Sequence, residues 1–157
     1  MIKYIKGDLV RDAEQFDVIS HQCNCFLVWG AGIAPQIKVK FSEAYLEDAK
    51  TMYGDKRKLG AITYTKNTKP IVVNAYGQYK YTRTDVDTNY DALRSCMKHI
   101  KNLFTGLKIG LPLLGAGLAS GDWNIISKII EEELGDEDVT IVVWERNTEN
   151  LKKFNLL

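Results

Sequence analysis

The stretch that decides the fold is His21-Gln22-Cys23-Asn24-Cys25-Phe26-Leu27-Val28-Trp29-Gly30-Ala31-Gly32-Ile33-Ala34. It follows the apolar run Val18-Ile19-Ser20, which is typical of a short buried strand. Beyond it, Ile33, Ile37 and Phe41 recur at helical spacing and predict a helix. Polar residues and a Gly-X-Gly turn therefore lie between the carboxyl end of a strand and the amino end of a helix. Open α/β sheets bind their ligands at such places.

A second turn of the same kind occurs later, in Leu113-Leu114-Gly115-Ala116-Gly117-Leu118. Glycine allows a ligand to approach the backbone closely, and the first N–H groups of a helix favour an anion. Two such loops after two strands predict one phosphate-bearing ligand held from both sides. Neither loop is followed by Lys-Ser/Thr, and neither has the third glycine of the dinucleotide fingerprint. The pattern therefore disfavours a kinase or a Rossmann dehydrogenase.

The composition is typical of a soluble globular protein, with 45% hydrophobic and 26% charged residues. We expect one domain over residues 1–157 and a monomer. The 21 basic and 20 acidic residues give a net charge of +1, which provides no global field to attract nucleic acid. No apolar run approaches the ~20 residues of a membrane span, and no signal-peptide core follows Met1, so we expect no membrane partner.

The three cysteines argue against a disulfide framework and fit a reducing compartment, which predicts a cytoplasmic location. Cys23 and Cys25 have no His/Cys partner pair at zinc-ligand spacing. We therefore expect them to be buried thiols, with no metal site and no cofactor.

Hydrophobic periodicity predicts alternating strands and helices. The predicted strands are Ile2–Ile5, Val18–His21, Leu59–Tyr64, Ile71–Tyr76, Ile109–Leu114 and Val139–Trp144. The third and fourth are expected to form a hairpin. The predicted helices are one that follows Gly32, then Glu43–Tyr53, Asn89–Phe104, Trp123–Leu134 and Thr148–Phe154. This alternation predicts a three-layer α/β/α fold around a mixed, mainly parallel central sheet.

Two of these helices carry more detailed predictions. Ser42 is expected to cap the amino end of the second helix, and Gly54 to stop it. The inner face of the fourth helix is predicted to consist of Ile125, Ile126, Ile129 and Ile130.

Three polar residues near strand ends could carry chemistry. Asp8 follows the first strand and could accept a hydrogen bond from the exocyclic amine of a purine, or could simply shape a turn. His21 could transfer protons near neutral pH, and Asn24 could hold a ribose hydroxyl or a water molecule. The alternatives are a core histidine with satisfied hydrogen bonds and a turn asparagine.

Other candidates have similar alternatives. Asp122 could cap the helix that follows it or orient an attacking water. Trp144 could stack on a base or belong to the core. Three tyrosines, Tyr76, Tyr79 and Tyr81, could line a ligand wall or be half-exposed. The charges of Lys66, Lys69, Lys80 and Arg83 are interpreted as a solvated face.

Taken together, these motifs resemble a macro domain over nearly the whole chain. The matching segments are Gly7-Asp8, His21–Cys25, Gly30–Ala34, Pro112–Leu118 and Asp122-Trp123. The His-x-Cys-Asn-Cys stretch followed by Trp-Gly-x-Gly-Ile-Ala is similar to the yeast-type ADP-ribose 1″-phosphate phosphatases. The later Gly-x-Gly-Leu-Ala-x-Gly-Asp-Trp segment resembles small bacterial and phage macro proteins.

The resemblance implies a cleft for ADP-ribose. Asp8 would contact adenine N6, with Trp144 near the adenine face. Asn24 and the loop Gly30, Ala31, Gly32, Ile33, Ala34 would hold the distal ribose and its 1″ substituent. The loop Gly115, Ala116, Gly117, Leu118 would hold the diphosphate. Further expected ligand contacts are Leu9, Gln22, Trp29, Tyr76 and Leu114, and the expected catalytic residues are His21, Asn24 and Asp122.

This chain also departs from the family pattern. The usual Asn-Ala-Ala-Asn segment is replaced by Gln22-Cys23-Asn24. The Lys–Asp pair of the ADP-ribosyl-glutamate hydrolases is not matched, because Ala119 stands where the carboxylate would be. The function that the resemblance implies first is an ADP-ribose 1″-phosphate phosphatase. The alternatives are a hydrolase that releases ADP-ribose from a protein, a nucleic acid or an O-acetyl group, a non-catalytic ADP-ribose reader, and a purely structural module.

Overall fold

A six-stranded sheet forms the centre of the computed structural model, which describes residues 2–157. Its strands are β1 (Ile2–Gly7), β2 (Val18–Gln22), β3 (Ile62–Tyr64), β4 (Ile71–Ala75), β5 (Lys108–Leu111) and β6 (Asp138–Trp144). Their order across the sheet is β1-β6-β5-β2-β4-β3. Neighbouring strands are parallel except in the predicted β3–β4 hairpin, which is antiparallel. The prediction of a mixed, mainly parallel sheet is confirmed.

Helices cover both faces of this sheet. They are α1 (Ala34–Lys40), α2 (Ser42–Ala49), α3 (Tyr90–Phe104), α4 (Trp123–Leu134) and α5 (Thr148–Lys153). One buried cluster contains apolar residues of α3, α4 and α5, and a second contains residues of α1 and α2. The three-layer α/β/α prediction is therefore confirmed.

The burial of β6 shows why both faces of the sheet need cover. Val139, Ile141 and Val143 pack in the cluster of α3, α4 and α5, and Val142 packs in the cluster of α1 and α2. Successive side chains of a strand point to opposite faces, so an inner parallel strand is apolar throughout.

The second helix is shorter than predicted and begins differently. Ser42 is its first residue and makes no capping hydrogen bond, and the helix ends at Ala49 rather than at Tyr53. Gly54 lies beyond it in a left-handed conformation with φ +72, and its N–H donates to the carbonyl of Cys25 at 2.7 Å. Gly54 therefore belongs to a loop that closes on the segment after β2, and it does not terminate the helix.

Two strand boundaries also differ from the prediction, for local backbone reasons. The third strand starts at Ile62, because Gly60 has φ +85 and breaks the extended conformation. The fifth ends at Leu111 and not at Leu114, at the strand end that Pro112 indicates in the sequence, because proline has no N–H for the ladder. In α4, Ile125 is 43% exposed, and the buried face is made by Trp123, Ile126, Ile129, Ile130 and Leu134.

The parallel arrangement brings five strand ends to one edge. The carboxyl ends of β1, β6, β5, β2 and β4 lie along it, in that order. Segments that leave these ends are therefore neighbours in space although they are distant in sequence. Within residues 2–157, no helix has both the length and the apolar character needed to cross a membrane.

Candidate active site

A cavity of ≈ 260 Å³ opens at the carboxyl ends of β2 and β5. One wall is residues 28–34, which follow β2 and are called here the first glycine loop. The opposite wall is residues 112–119, the second glycine loop. The third wall comes from the loop 77–88, which follows β4. The cavity thus lies where the sequence pattern predicted a ligand between two glycine turns.

Both glycine loops carry backbone N–H groups that donate a hydrogen bond to no acceptor within residues 2–157. They are the N–H groups of Gly30, Ala31, Gly32, Gly115, Gly117 and Leu118. By contrast, Ala116 is used internally, since its N–H donates to the carbonyl of Leu113 at 3.1 Å. Backbone donors without protein partners, grouped around a concave site, can bind the oxygens of an anion.

Asn24 braces the approach to the first glycine loop. Its Oδ1 accepts from the N–H groups of Phe26 at 2.9 Å and Val28 at 3.3 Å, and its Nδ2 donates to the carbonyl of Val28 at 2.9 Å. The turn that it closes holds Leu27 in a left-handed conformation with φ 59. Asn24 therefore fixes the course of the backbone beside the cavity, and a second Nδ2 hydrogen remains for a ligand.

Trp29 ties the first glycine loop to a buried charged group. Its Nε1 donates to Oδ2 of Asp48 at 2.8 Å. Asp48 also accepts from the hydroxyl of Tyr76 at 2.6 Å, and the Nζ of Lys58 lies 3.5 Å from its Oδ1. Asp48 and Lys58 are buried. A buried ion pair of this kind needs its full set of hydrogen-bond partners, so the loop is held rigidly at Trp29.

His21 lies beneath the cavity, where water does not reach most of its ring. The ring is 1% exposed, and its Nε2 is 2.8 Å from Oδ1 of Asn74, the residue that faces it across the β2–β4 ladder. Asn74 Nδ2 donates to the carbonyl of Ala44 and to Oγ1 of Thr63, which assigns its oxygen to His21 and the imidazole proton to Nε2. Burial lowers the pKa of His21 from 6.5 to about 4.

The 77–88 loop is attached to the second glycine loop by a chain of polar contacts. The hydroxyl of Thr88 donates to the carbonyl of Gly115 at 2.7 Å and accepts from Nε2 of Gln22 at 3.0 Å. The N–H groups of Asp87 and Thr88 both donate to the carbonyl of Ala119. These hydrogen bonds therefore fix the third wall of the cavity against the second glycine loop.

The sequence comparisons agree with this geometry. The family model for the macro domain matches residues 20–130. A protein of Enterobacteria phage T4, named only as an uncharacterized 17.5 kDa protein of the tk-vs intergenic region, is 32% identical over 92% of this chain and 97% of its own. The chain belongs to the macro domain family.

Other relatives of this macro domain have names that state an activity. An ADP-ribose 1″-phosphate phosphatase of Debaryomyces hansenii is 28% identical over 84% of this chain and 93% of its own. An ADP-ribose glycohydrolase of Bos taurus is 28% identical over 91% of this chain and 90% of its own. The solved macrodomain of Mycobacterium tuberculosis DarG superposes with a TM-score of 0.70 at 22% identity, covering 92% of this chain and 97% of that one, which supports the fold alone.

The cavity of this macro domain collects most of the residues that the sequence singled out. Those that line it are His21, Gln22, Asn24, Trp29, Gly30, Ala31, Gly32, Ile33, Ala34, Leu114, Gly115, Gly117 and Leu118. They come from the end of β2, from Asn24 just after it, and from the two glycine loops. The same edge of the sheet therefore assembles two segments that are distant in sequence.

Asp8 and Trp144 lie outside the cavity, farther along the same edge. The strand register pairs Gly7 with Trp144, so Asp8 directly follows the residue that faces this tryptophan. Trp144 is 53% exposed and is not a core residue. Asp8 Oδ1 accepts from the N–H groups of Val10 and Arg11, which makes it a turn-shaping residue. The two residues lie at one end of this sheet edge, beside the cavity, and this place is called here the exposed end.

The remaining predicted residues occupy other places. Leu9 is 4% exposed within the core, and Tyr76 is buried with its hydroxyl on Asp48. Ala116 lies outside the lining of the cavity. Asp122 is exposed and caps α4, with its Oδ1 accepting from the N–H of Asn124 at 2.9 Å, and it borders a second depression together with Lys153. The structure does not bring Asp122 together with His21.

The structure also adds residues that the sequence analysis had left aside. Gln78, Arg83 and Asp87 line the third wall, although the charge of Arg83 had been interpreted as part of a solvated face. Tyr81 lines the same wall, which is one of the two alternatives given for it. The sequence of the 77–88 loop has no hydrophobic periodicity from which the path of the loop could be predicted. Among residues 2–157, no group of three or more His, Cys, Asp or Glu side chains is arranged to hold a metal ion.

Proposed function

We propose that this macro domain is an ADP-ribose 1″-phosphate phosphatase, which hydrolyses ADP-ribose 1″-phosphate to ADP-ribose and phosphate. The observation that carries the proposal is the double row of unpartnered backbone N–H groups on the two glycine loops around one cavity. Relatives named ADP-ribose 1″-phosphate phosphatase and ADP-ribose glycohydrolase support the processing of ADP-ribose in general.

The proposed orientation of the ligand follows the sheet edge. Its adenine lies at the exposed end formed by Asp8 and Trp144, where an aromatic face and a carboxylate are available. The diphosphate lies on the second glycine loop after β5. The distal ribose lies beyond it, between Asn24 and the first glycine loop. A cavity of ≈ 260 Å³ is small for a whole dinucleotide-sized ligand, so the adenine end would rest on the open surface.

The proposed chemistry is in-line attack of water on the terminal phosphorus. The water oxygen bonds to phosphorus while the bond between phosphorus and O1″ breaks. One water proton ends on O1″ of ADP-ribose, and the released group is phosphate. In such loose transition states the charge is spread over the phosphoryl oxygens and the protein has little covalent chemistry to supply, so positioning and preorganised N–H donors supply most of the catalysis.

We revise the roles that the sequence suggested for the catalytic residues. Asp122 caps α4 at a separate depression, so we give it no role in the reaction. His21 is uncharged near neutral pH and, with a pKa of about 4, is too weak a base to deprotonate water efficiently. We assign it to holding Asn74 and the floor of the cavity, and Asn24 to positioning the distal ribose.

A second candidate is the release of ADP-ribose from a modified macromolecule. The relatives named ADP-ribose glycohydrolase favour it, and the same cleft would bind the ADP-ribosyl group. A non-catalytic reader would use this cleft without turnover.

A panel of substrates separates the three functions. Purified protein is incubated with ADP-ribose 1″-phosphate, with ADP-ribosyl-glutamate protein and with buffer alone, and phosphate and ADP-ribose are measured as initial rates. We expect phosphate release from the first substrate only. Release of ADP-ribose from the modified protein alone would replace the phosphatase with the glycohydrolase, and binding of ADP-ribose without any product would identify a reader.

A further inference from the structure

Arg83 places an unpaired positive charge on the third wall of the cavity. Within residues 2–157 it is the one lysine or arginine side chain that lines this cavity. Arg11, Arg57 and Arg94 each form ion pairs, whereas nothing in the described part of the chain pairs or hydrogen-bonds with the guanidinium of Arg83. A guanidinium can donate two parallel hydrogen bonds to the oxygens of one phosphate group. An anionic ligand is therefore a suitable partner for Arg83.

Arg83 forms no ion pair with Asp87, the carboxylate that lines the same cavity. Asp87 also lines the cavity, but both of its oxygens are engaged by Thr82, whose N–H donates to Oδ2 at 2.6 Å and whose hydroxyl lies 3.0 Å from Oδ1. The hydroxyl of Thr82 in turn accepts from the N–H of Asp85 at 3.0 Å. This small closed turn fixes the backbone on both sides of Arg83.

The backbone of Arg83 itself is in an uncommon conformation. Its φ is 63, in the left-handed region, where a side-chain-bearing residue is held only when its surroundings impose it. Such strained positions cluster at ligand clamps. The contacts of Thr82 and Asp87 provide the surroundings that hold Arg83 in this conformation.

The position of Arg83 across the sheet indicates which part of the ligand it meets. The loop that carries Arg83 follows β4. In the sheet, β4 and β5 lie on opposite sides of β2, and β6 and β1 lie beyond β5. Trp144 ends β6, so the cavity separates Arg83 from the exposed end that we assign to adenine. A ligand that extends from Trp144 across both glycine loops therefore has its far terminus on the side of the cavity where the loop of Arg83 leaves β4.

We infer that Arg83 binds the terminal 1″-phosphate of the substrate and makes the site select ADP-ribose 1″-phosphate over ADP-ribose. The inference rests on the ligand orientation of the proposed function. It concerns selectivity for a charged terminus, for which the guanidinium supplies a full positive charge that the neutral backbone N–H groups of the glycine loops lack. The contact is a charge-assisted pair between guanidinium and phosphate oxygens.

The test compares binding of two ligands by calorimetric titration. One is ADP-ribose, and the other is its 1″-C-phosphonate, in which a carbon–phosphorus bond prevents release of the terminal group. We expect the wild-type protein to prefer the phosphonate by about tenfold or more. Arg83→Gln should bring this ratio close to one while leaving the affinity for ADP-ribose within about twofold. Arg83→Lys should give an intermediate ratio, because it keeps the charge and loses the fork.

The matched control is Lys80→Gln, which removes a cation from the same loop at an exposed position that does not line the cavity. It should retain the wild-type preference. A preference that survives in Arg83→Gln overturns the inference, as does an equal loss of affinity for both ligands, which would place Arg83 on the diphosphate. If the wild type binds the phosphonate preferentially but releases no phosphate from ADP-ribose 1″-phosphate, the proposed function fails and the assignment of Arg83 stands.

Discussion

The indole Nε1 of Trp29 donates a 2.8 Å hydrogen bond to Oδ2 of Asp48 and thereby joins a wall of the cavity to a buried ion pair. The loop that carries Gly30 and Gly32 is therefore coupled to the packing of α2, which contributes Asp48. Loops of an α/β sheet can carry a site only if the scaffold positions them, and here one carboxylate provides much of that positioning.

Replacement of Asp48 by asparagine should destabilise the protein strongly. The charge of Lys58 would remain buried without its partner, and loss of one member of such a pair costs about 3 kcal/mol of unfolding free energy. Urea denaturation measures this loss. The control is Asp136→Asn, since Asp136 forms an exposed pair with Lys101 and its replacement should cost far less. Equal losses in the two variants would contradict the role assigned to Asp48.

The low pKa of His21 predicts a specific pH dependence of stability. Its native pKa of about 4 is below the unfolded value of 6.5, so the unfolded chain binds the extra proton first. The unfolding free energy therefore falls as the pH falls from 6.5 to about 4, and this residue contributes roughly 3 kcal/mol to the decrease.

Urea denaturation of wild type, His21→Gln and His99→Gln across this pH range tests the effect. His21→Gln should lose unfolding free energy less steeply on acidification than the wild type. His99 is exposed, so His99→Gln should keep the wild-type steepness and controls for the removal of an imidazole. Parallel curves for wild type and His21→Gln would show that the buried ring does not titrate as described.

Two glycines of the second glycine loop should respond differently to alanine. Gly115 has φ +75, and a Cβ there would lie 2.9 Å from Oε1 of Gln22 and 3.1 Å from Oγ1 of Thr88. Gly115→Ala should therefore lower the unfolding free energy by about 1–2 kcal/mol or more. At Gly117 no atom lies within 4 Å of a Cβ, so Gly117→Ala should change stability by less than about 0.5 kcal/mol. Thermal and urea unfolding measure both, and a more damaging Gly117→Ala would refute the described loop.

Asn24 should matter more for activity than for folding. Asn24→Ala removes three hydrogen bonds that shape the approach to the first glycine loop, so the N–H donors lose their alignment. Misplacement of this size should lower kcat for phosphate release by about 100-fold. Asn147→Ala is the control, because Asn147 caps α5 in a similar way outside the cavity lining. Similar kcat values for the two variants would remove Asn24 from the catalytic account.

Much of the architecture could be predicted from local signals. The helix Trp123–Leu134 was predicted with its bounds because Asp122 caps it and an apolar stripe runs along it. The two glycine loops were found because each follows an apolar strand. The helix that starts at Ser42 was predicted too long, since the left-handed Gly54 serves a contact with Cys25 that is distant in sequence.

The site was harder to predict than the fold, because its polar contacts join distant segments. Nothing near Asp48 in the sequence indicates that it meets Trp29, Tyr76 and Lys58. Arg83 lies in a loop without periodicity, and only the closed turn between Thr82 and Asp87 determines its place. Asp122 was assigned a second role because it follows a glycine loop, but the chain turns away from the cavity before reaching it.

The proposed phosphatase reaction can be followed with phosphorus-31 NMR of ADP-ribose 1″-phosphate in the presence of the protein. The spectrum separates the terminal phosphate from the diphosphate, so it shows which phosphate group is released. We predict that the terminal signal is replaced by that of inorganic phosphate while the diphosphate signals remain those of ADP-ribose. An unchanged terminal signal, or cleavage of the diphosphate, would contradict this prediction.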